Sequence, residues 1–102
     1  MVKKAYIITF DHGGFFDKFD YTKFHNQLIN SPQILDWWHY LKSTYIVIVD
    51  WNIEASHISN FILLTLPGKH FFVSELQLRN HNGWLPKQAW DWINMHLEQN
   101  LP

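Results

Sequence analysis

The sequence predicts one α+β domain with a single antiparallel sheet, and three observations carry that reading. Short β-rich apolar runs alternate with segments of helical periodicity in the order β-α-β-β-α-β, and a further helical segment follows. At 102 residues the chain is long enough for one layered core and too short for a second lobe, so residues 1–102 form one domain. Apolar residues make up 47% of the chain, with six Trp and eight Phe, a composition that predicts a folded chain.

Ala5–Phe10 is a β-rich run bounded by Lys3-Lys4 and by Asp11-His12-Gly13-Gly14, and reads as a buried strand. After a loop rich in Gly and Asp, Asp20 stands as an N-cap. Tyr21, Phe24, His25, Leu28 and Ile29 then mark one face of a helix that Asn30-Ser31-Pro32 ends. Asp36 to Asp50 reads as two strands broken near Lys42-Ser43, the second being Thr44–Val49. Tight pairing is not secured by the sequence, because Lys-Ser lacks the Gly or Asn of a favoured two-residue turn. Ile58, Phe61, Ile62 and Thr65 have helical spacing between Glu54 and Leu66, and Pro67-Gly68 closes the segment; a strand over Phe61–Leu66 is the rival assignment. Lys69–Leu78 reads as the fourth strand, Asn80–Gly83 as a loop, and Pro86–Leu97 as a helix with apolar residues on two sides. That last helix is expected to cover a sheet face, a sheet edge or a partner subunit. The element order is that of a ferredoxin-like sandwich plus a C-terminal helix, with both main helices on one face.

Composition narrows the functional classes. The absence of cysteine removes disulfides, thiolate metal sites and cysteine nucleophiles, and agrees with a reducing, cytoplasmic setting. No apolar run reaches membrane-spanning length, so no membrane association is expected. A formal net charge of −1 disfavours broad electrostatic attraction to nucleic acid, although Lys3, Lys4, Lys18 and Lys23 cluster in the first quarter. The seven histidines show no zinc-binding spacing, and Arg79–Gly83 reads as a polar turn.

Trp38-His39-Tyr40-Leu41, followed by Ser43-Thr44 and the aromatic Tyr45, resembles a motif of the SinR family of short bacterial proteins. These lie near the ferredoxin-like group containing CRISPR-associated protein two and VapD. The resemblance extends from about Tyr6 to Leu78 and includes the aspartate ending the first strand and Asp20–Leu28; Gly83–Ile93 departs from it. It implies a homodimer in which the first-strand aspartates of two subunits approach across a cleft. In active members they hold a divalent metal, Mg²⁺ or Mn²⁺, for phosphodiester hydrolysis, while other relatives act as scaffolds. Such chemistry needs hard oxygen ligands, and Asp11 is the matching residue.

The expected function is therefore a nuclease-like dimer that serves as a binding or scaffold protein for a nucleic acid, nucleotide or protein. The alternative is a metal-dependent endonuclease acting on RNA or DNA. Asp11 is the candidate metal ligand and catalytic residue, with His12 as its metal neighbour or general acid; His39, Ser43 and Thr44 are the candidate binding residues. Each has an ordinary alternative. Asp11 would cap a turn, His12 would be a solvated loop residue, His39 would pack, and Ser43 and Thr44 would only join strands. Gly13 and Gly14 either bring backbone amides to a phosphate or supply positive φ. The tryptophans are read as core or interface residues, a reading that exposed indoles would change.

Overall fold

A computed structural model describes residues 2–13, 17–77 and 80–96. Gly14, Leu78, Arg79 and Leu97, named above, lie outside the described residues. The elements are β1 (Lys3–Phe10), α1 (Tyr21–Ile29), β2 (Asp36–Leu41), β3 (Thr44–Asp50), α2 (Ala55–Thr65), β4 (Phe71–Glu75) and α3 (Lys87–His96). The four strands form one sheet in the order β2-β3-β1-β4, with every neighbouring pair antiparallel. Among the described residues no helix is long and apolar enough to cross a membrane.

Local chemistry explains the helix boundaries. The Asp20 carboxylate accepts the Lys23 N–H at 2.9 Å and so caps α1. At α2 the Glu54 N–H donates to His57 Nδ1 at 2.8 Å, which fixes the helical alternative for a segment whose Phe61–Leu66 run has strand-like composition. Gly68 then takes φ +77°, the left-handed conformation of the turn after α2, which the Lys69 N–H closes on the Leu66 carbonyl at 3.4 Å.

The sheet is covered on both sides. Tyr6, Ile8, Val47 and Val49 meet Phe24 and Leu28 of α1, Ile58 and Ile62 of α2, and Leu66, the residue that caps α2. On the opposite face Ala5, Trp38, Ile46 and Ile48 meet Ala89 and Ile93 of α3. Of the three places open to the C-terminal helix, it therefore occupies a sheet face. The Trp38 indole donates to the Ala89 carbonyl at 3.2 Å, and His96 Nε2 lies 2.6 Å from an Asp36 carboxylate oxygen. These contacts tie both ends of α3 to β2.

The β2–β3 connection is tight despite its sequence. Leu41 pairs with Thr44 across the two-residue turn Lys42-Ser43, and no described non-glycine residue has positive φ. Trp38 pairs with Ile46, so β2 has one residue more than β3 between these two pairings. This bulge near His39 and Tyr40 takes up the mismatch between an unprimed turn and twisted strands. β4 is shorter than the run read from sequence, ending at Glu75, and β1 is longer, starting at Lys3.

Candidate functional site

β1 delivers Asp11 to the end of the sheet. The Phe10 N–H donates to the Ser43 carbonyl and the Asp11 N–H to the His70 carbonyl, both at 3.0 Å, so the backbone is fixed to the point where the strand ends. The Asp11 side chain is exposed and has no hydrogen-bond or ion-pair partner among the described residues. His12 is not simply solvated: its ring stacks on Tyr21 with centroids 4.1 Å apart and planes 12° apart.

The carboxylate that organises this loop is Asp17. It accepts from Gly13 N at 3.0 Å, Phe19 N at 2.9 Å, Lys69 Nζ at 2.6 Å and the Tyr21 hydroxyl. The Lys69 ammonium first, then Tyr21 and the backbone donors, hold the Asp17 carboxyl well below the ordinary carboxylate range. Asp17 in turn raises Lys69. The geometry also corrects the positive-φ reading of Gly13. Its φ is not positive; a Cβ there would lie 2.6 Å from Cβ and Cγ of Asp17, so glycine is required by close approach. Asp17 and Asp20 are both committed to local structure, which leaves Asp11 as the available carboxylate of this loop.

Next to this loop lies a groove of about 280 Å³, whose lining includes Tyr21, Thr22, His25, His39, Lys42 and Tyr45. Helical spacing puts Tyr21 and His25 on one side of α1, and strand alternation together with the bulge puts His39 on the sheet face below them. The His39 ring lies flat on Tyr45, with centroids 3.8 Å apart and planes 1° apart. His39 Nδ1 is 3.0 Å from the Thr44 carbonyl oxygen, so that nitrogen carries the hydrogen and donates. His25 Nδ1 and the Tyr45 hydroxyl share a hydrogen bond of 2.7 Å. The two imidazole centroids are 5.8 Å apart, and the edge of Trp37 meets His25 at 5.0 Å. Burial, followed by the charge on His39, lowers the His25 pKa below its ordinary value; burial pushes the Tyr45 hydroxyl up to about 12. Neither histidine Nε2 has a hydrogen-bond partner among the described residues.

The structure brings His39 into the groove and His12 against Tyr21, which lines it, while Asp11 follows the lining residue Phe10 at the end of β1. Ser43 and Thr44 take part through their backbone: their carbonyls hold Phe10 and His39. Sequence reasoning did not single out His25, Lys42 or Tyr45 as site residues. A signal was present at His25, a titratable ring at an apolar position of an amphipathic helix.

Among the described residues no three His, Cys, Asp or Glu side chains gather as a metal-binding group. Asp11 brings one carboxylate, so a metal held there needs further ligands from a substrate or a second subunit. The tryptophans divide: Trp38 is buried, whereas Trp84 is 99% and Trp51 56% exposed, and Trp37 sits half-exposed at the groove. Exposed indoles favour contact with a ligand or partner over a purely internal role. Searches against protein-family models, curated proteins and solved structures found no match for this chain.

Proposed function

We propose that this chain is a ferredoxin-like, nuclease-like cytoplasmic protein that works as a homodimer and binds single-stranded nucleic acid in the His25/His39 groove. The sheet order β2-β3-β1-β4, with α1 and α2 on one face, supports the ferredoxin-like assignment. Exposed Leu63, Leu64 and Phe72 on α2 and the edge strand β4 support the dimer. One observation carries the binding reading: a groove with two imidazoles and Lys42 lies against Trp37, so donors for a phosphate adjoin a ring on which a base stacks. Lys42, exposed in the groove lining, supplies positive charge locally despite a net charge of −1.

Titration with a single-stranded oligonucleotide, followed by tryptophan fluorescence and calorimetry, tests the reading. Trp37→Ala is expected to weaken binding by about 1–3 kcal/mol, the usual contribution of one base–aromatic stack. Lys42→Ala should also flatten the salt dependence. Unchanged affinity in both variants would remove the groove as the binding site.

A second reading, an endonuclease in which Asp11 holds Mg²⁺ or Mn²⁺, rests on the exposed carboxylate at the tip of β1. Such a metal would polarise a phosphate or activate a water. Manganese calorimetry on the wild type and Asp11→Asn, independent of any activity, tests it: equal heats in the two proteins exclude Asp11 as a ligand.

A further inference from the structure

We propose that the facing imidazoles of His25 and His39 cleave RNA by acid–base transesterification that needs no metal. This rests on the nucleic-acid reading of the groove and adds a reaction and a substrate class to it. The two rings come from separate elements, α1 and β2, with centroids 5.8 Å apart. Each is oriented through Nδ1, His39 by the Thr44 carbonyl at 3.0 Å and His25 by the Tyr45 hydroxyl at 2.7 Å. Both Nε2 atoms remain without a partner among the described residues, and Lys42 lines the same groove.

Cleavage beside a ribose requires three things: a base for the 2′-hydroxyl proton, an acid for the departing 5′-oxygen, and positive charge on the phosphate oxygens. In the tautomer with the hydrogen on Nδ1, bonded to the Tyr45 oxygen, neutral His25 presents a lone pair at Nε2 and takes the 2′-hydroxyl proton. Protonated His39, its Nδ1–H held by Thr44, gives its Nε2 proton to the 5′-oxygen. The 2′-oxygen–phosphorus bond forms, the phosphorus–5′-oxygen bond breaks, and the products are a 2′,3′-cyclic phosphate and a 5′-hydroxyl. One proton enters the pair and one leaves, so no co-reactant is consumed. Lys42 stabilises the non-bridging oxygens.

The two histidines take different roles for physical reasons. Burial first, and then the charge of His39, disfavours a proton on His25, which suits His25 to the role of base. The other ionisable groups facing the pair are Tyr21 from α1, Tyr45 from β3 and Lys42 from the turn. DNA lacks the 2′-hydroxyl and is predicted to bind without being cut.

The experiment uses the full chain in excess EDTA with three labelled strands: all-RNA, DNA containing one ribose, and fully 2′-O-methylated RNA. The expected result is cutting of the RNA, cutting of the mixed strand only after its ribose, 2′,3′-cyclic ends, and a bell-shaped pH profile. His25→Gln and His39→Gln should each lower the single-turnover rate by about 100-fold or more. Each variant should still bind the 2′-O-methyl strand, with a loss of affinity far smaller than the loss of rate, which separates lost chemistry from lost folding. RNA that binds but stays whole from about pH 5 to about pH 9 overturns the proposal and leaves the binding reading intact. No binding of the 2′-O-methyl strand removes the binding reading and the proposal together. Cleavage that needs added Mn²⁺ and disappears in Asp11→Asn overturns the proposal in favour of a metal site.

Discussion

Tyr45→Phe removes one hydroxyl from the groove and leaves the ring in place. Tyr45 is 2% exposed, lies flat on His39, and has Phe10 and Phe24 at centroid distances of 6.2 and 5.9 Å. Its hydroxyl reaches His25 at 2.7 Å. One such hydrogen bond contributes about 0.5–1.5 kcal/mol net, and a partly exposed His25 regains water, so a loss of about 0.5–1 kcal/mol is expected. For a domain near this size that lowers Tm by about 2–8 °C. Tyr45→Ala also removes the ring and should lose about 3–5 kcal/mol, a separation that calorimetry or circular dichroism resolves.

Alkaline pH supplies an independent check on the same hydroxyl. Burial raises its pKa from 10.0 to about 12, so the folded chain keeps a proton that the unfolded chain releases. The associated stability is fully present below about pH 10 and is lost as pH rises toward about 12. Tyr45→Phe lacks this loss, and its Tm deficit at neutral pH should shrink or reverse near pH 11. The buried Tyr6 hydroxyl, also raised and donating to the Ile53 carbonyl at 2.8 Å, remains to destabilise both proteins equally. A deficit as large as that of Tyr45→Ala, or one unchanged between the two pH values, would refute the buried, hydrogen-bonded hydroxyl.

Three other outcomes are expected. Ile62→Ala, at a fully buried site, should lose about 2–5 kcal/mol, while Leu64→Ala, at an 82% exposed site, should stay within about 0.5 kcal/mol; equal losses would mean that the segment is a strand. Asp17 has its folded-state pKa depressed, so its stabilisation is present above about pH 4 and is lost as pH falls; Asp17→Asn should lose less Tm than the wild type on acidification, and parallel curves would contradict the Lys69 pairing. Sedimentation of the wild type should give a dimer that Leu63→Glu or Phe72→Glu dissociates, and a wild-type monomer at high micromolar concentration would end the dimer proposal.

The second sheet face was more legible than the sequence reading made it. Tyr45–Val49 is buried without a break because successive residues point to opposite faces and both faces are covered. A run without polar alternation already demands two covers, and α1 and α2 supply only one. Ala89 and Ile93, four apart on α3, provide the other. Strand ends were less legible for the opposite reason. Lys3 and Lys4 pair with Asp50 and Val49 through backbone groups, which leave no mark in side-chain hydropathy, so the apolar signal starts late at Ala5.

The groove was least legible because it depends on register. Asp11 followed from the end of an apolar run, and His39 from a dense aromatic motif. Their neighbours required knowing that β2 has an extra residue near His39 and that Tyr45 occupies the β3 position beneath α1. Hydropathy at period two or period 3.6 does not encode a bulge, so no count of apolar positions joins His25 to His39. What the sequence does contain is a local conflict: an imidazole at an apolar position on the face that α1 turns to the core. That ring is only partly buried, its Nδ1 is engaged by Tyr45, and burial disfavours its charge. Leucine there would leave the buried Tyr45 hydroxyl without its partner; the imidazole satisfies that hydroxyl through Nδ1 and keeps Nε2 for the chemistry proposed above.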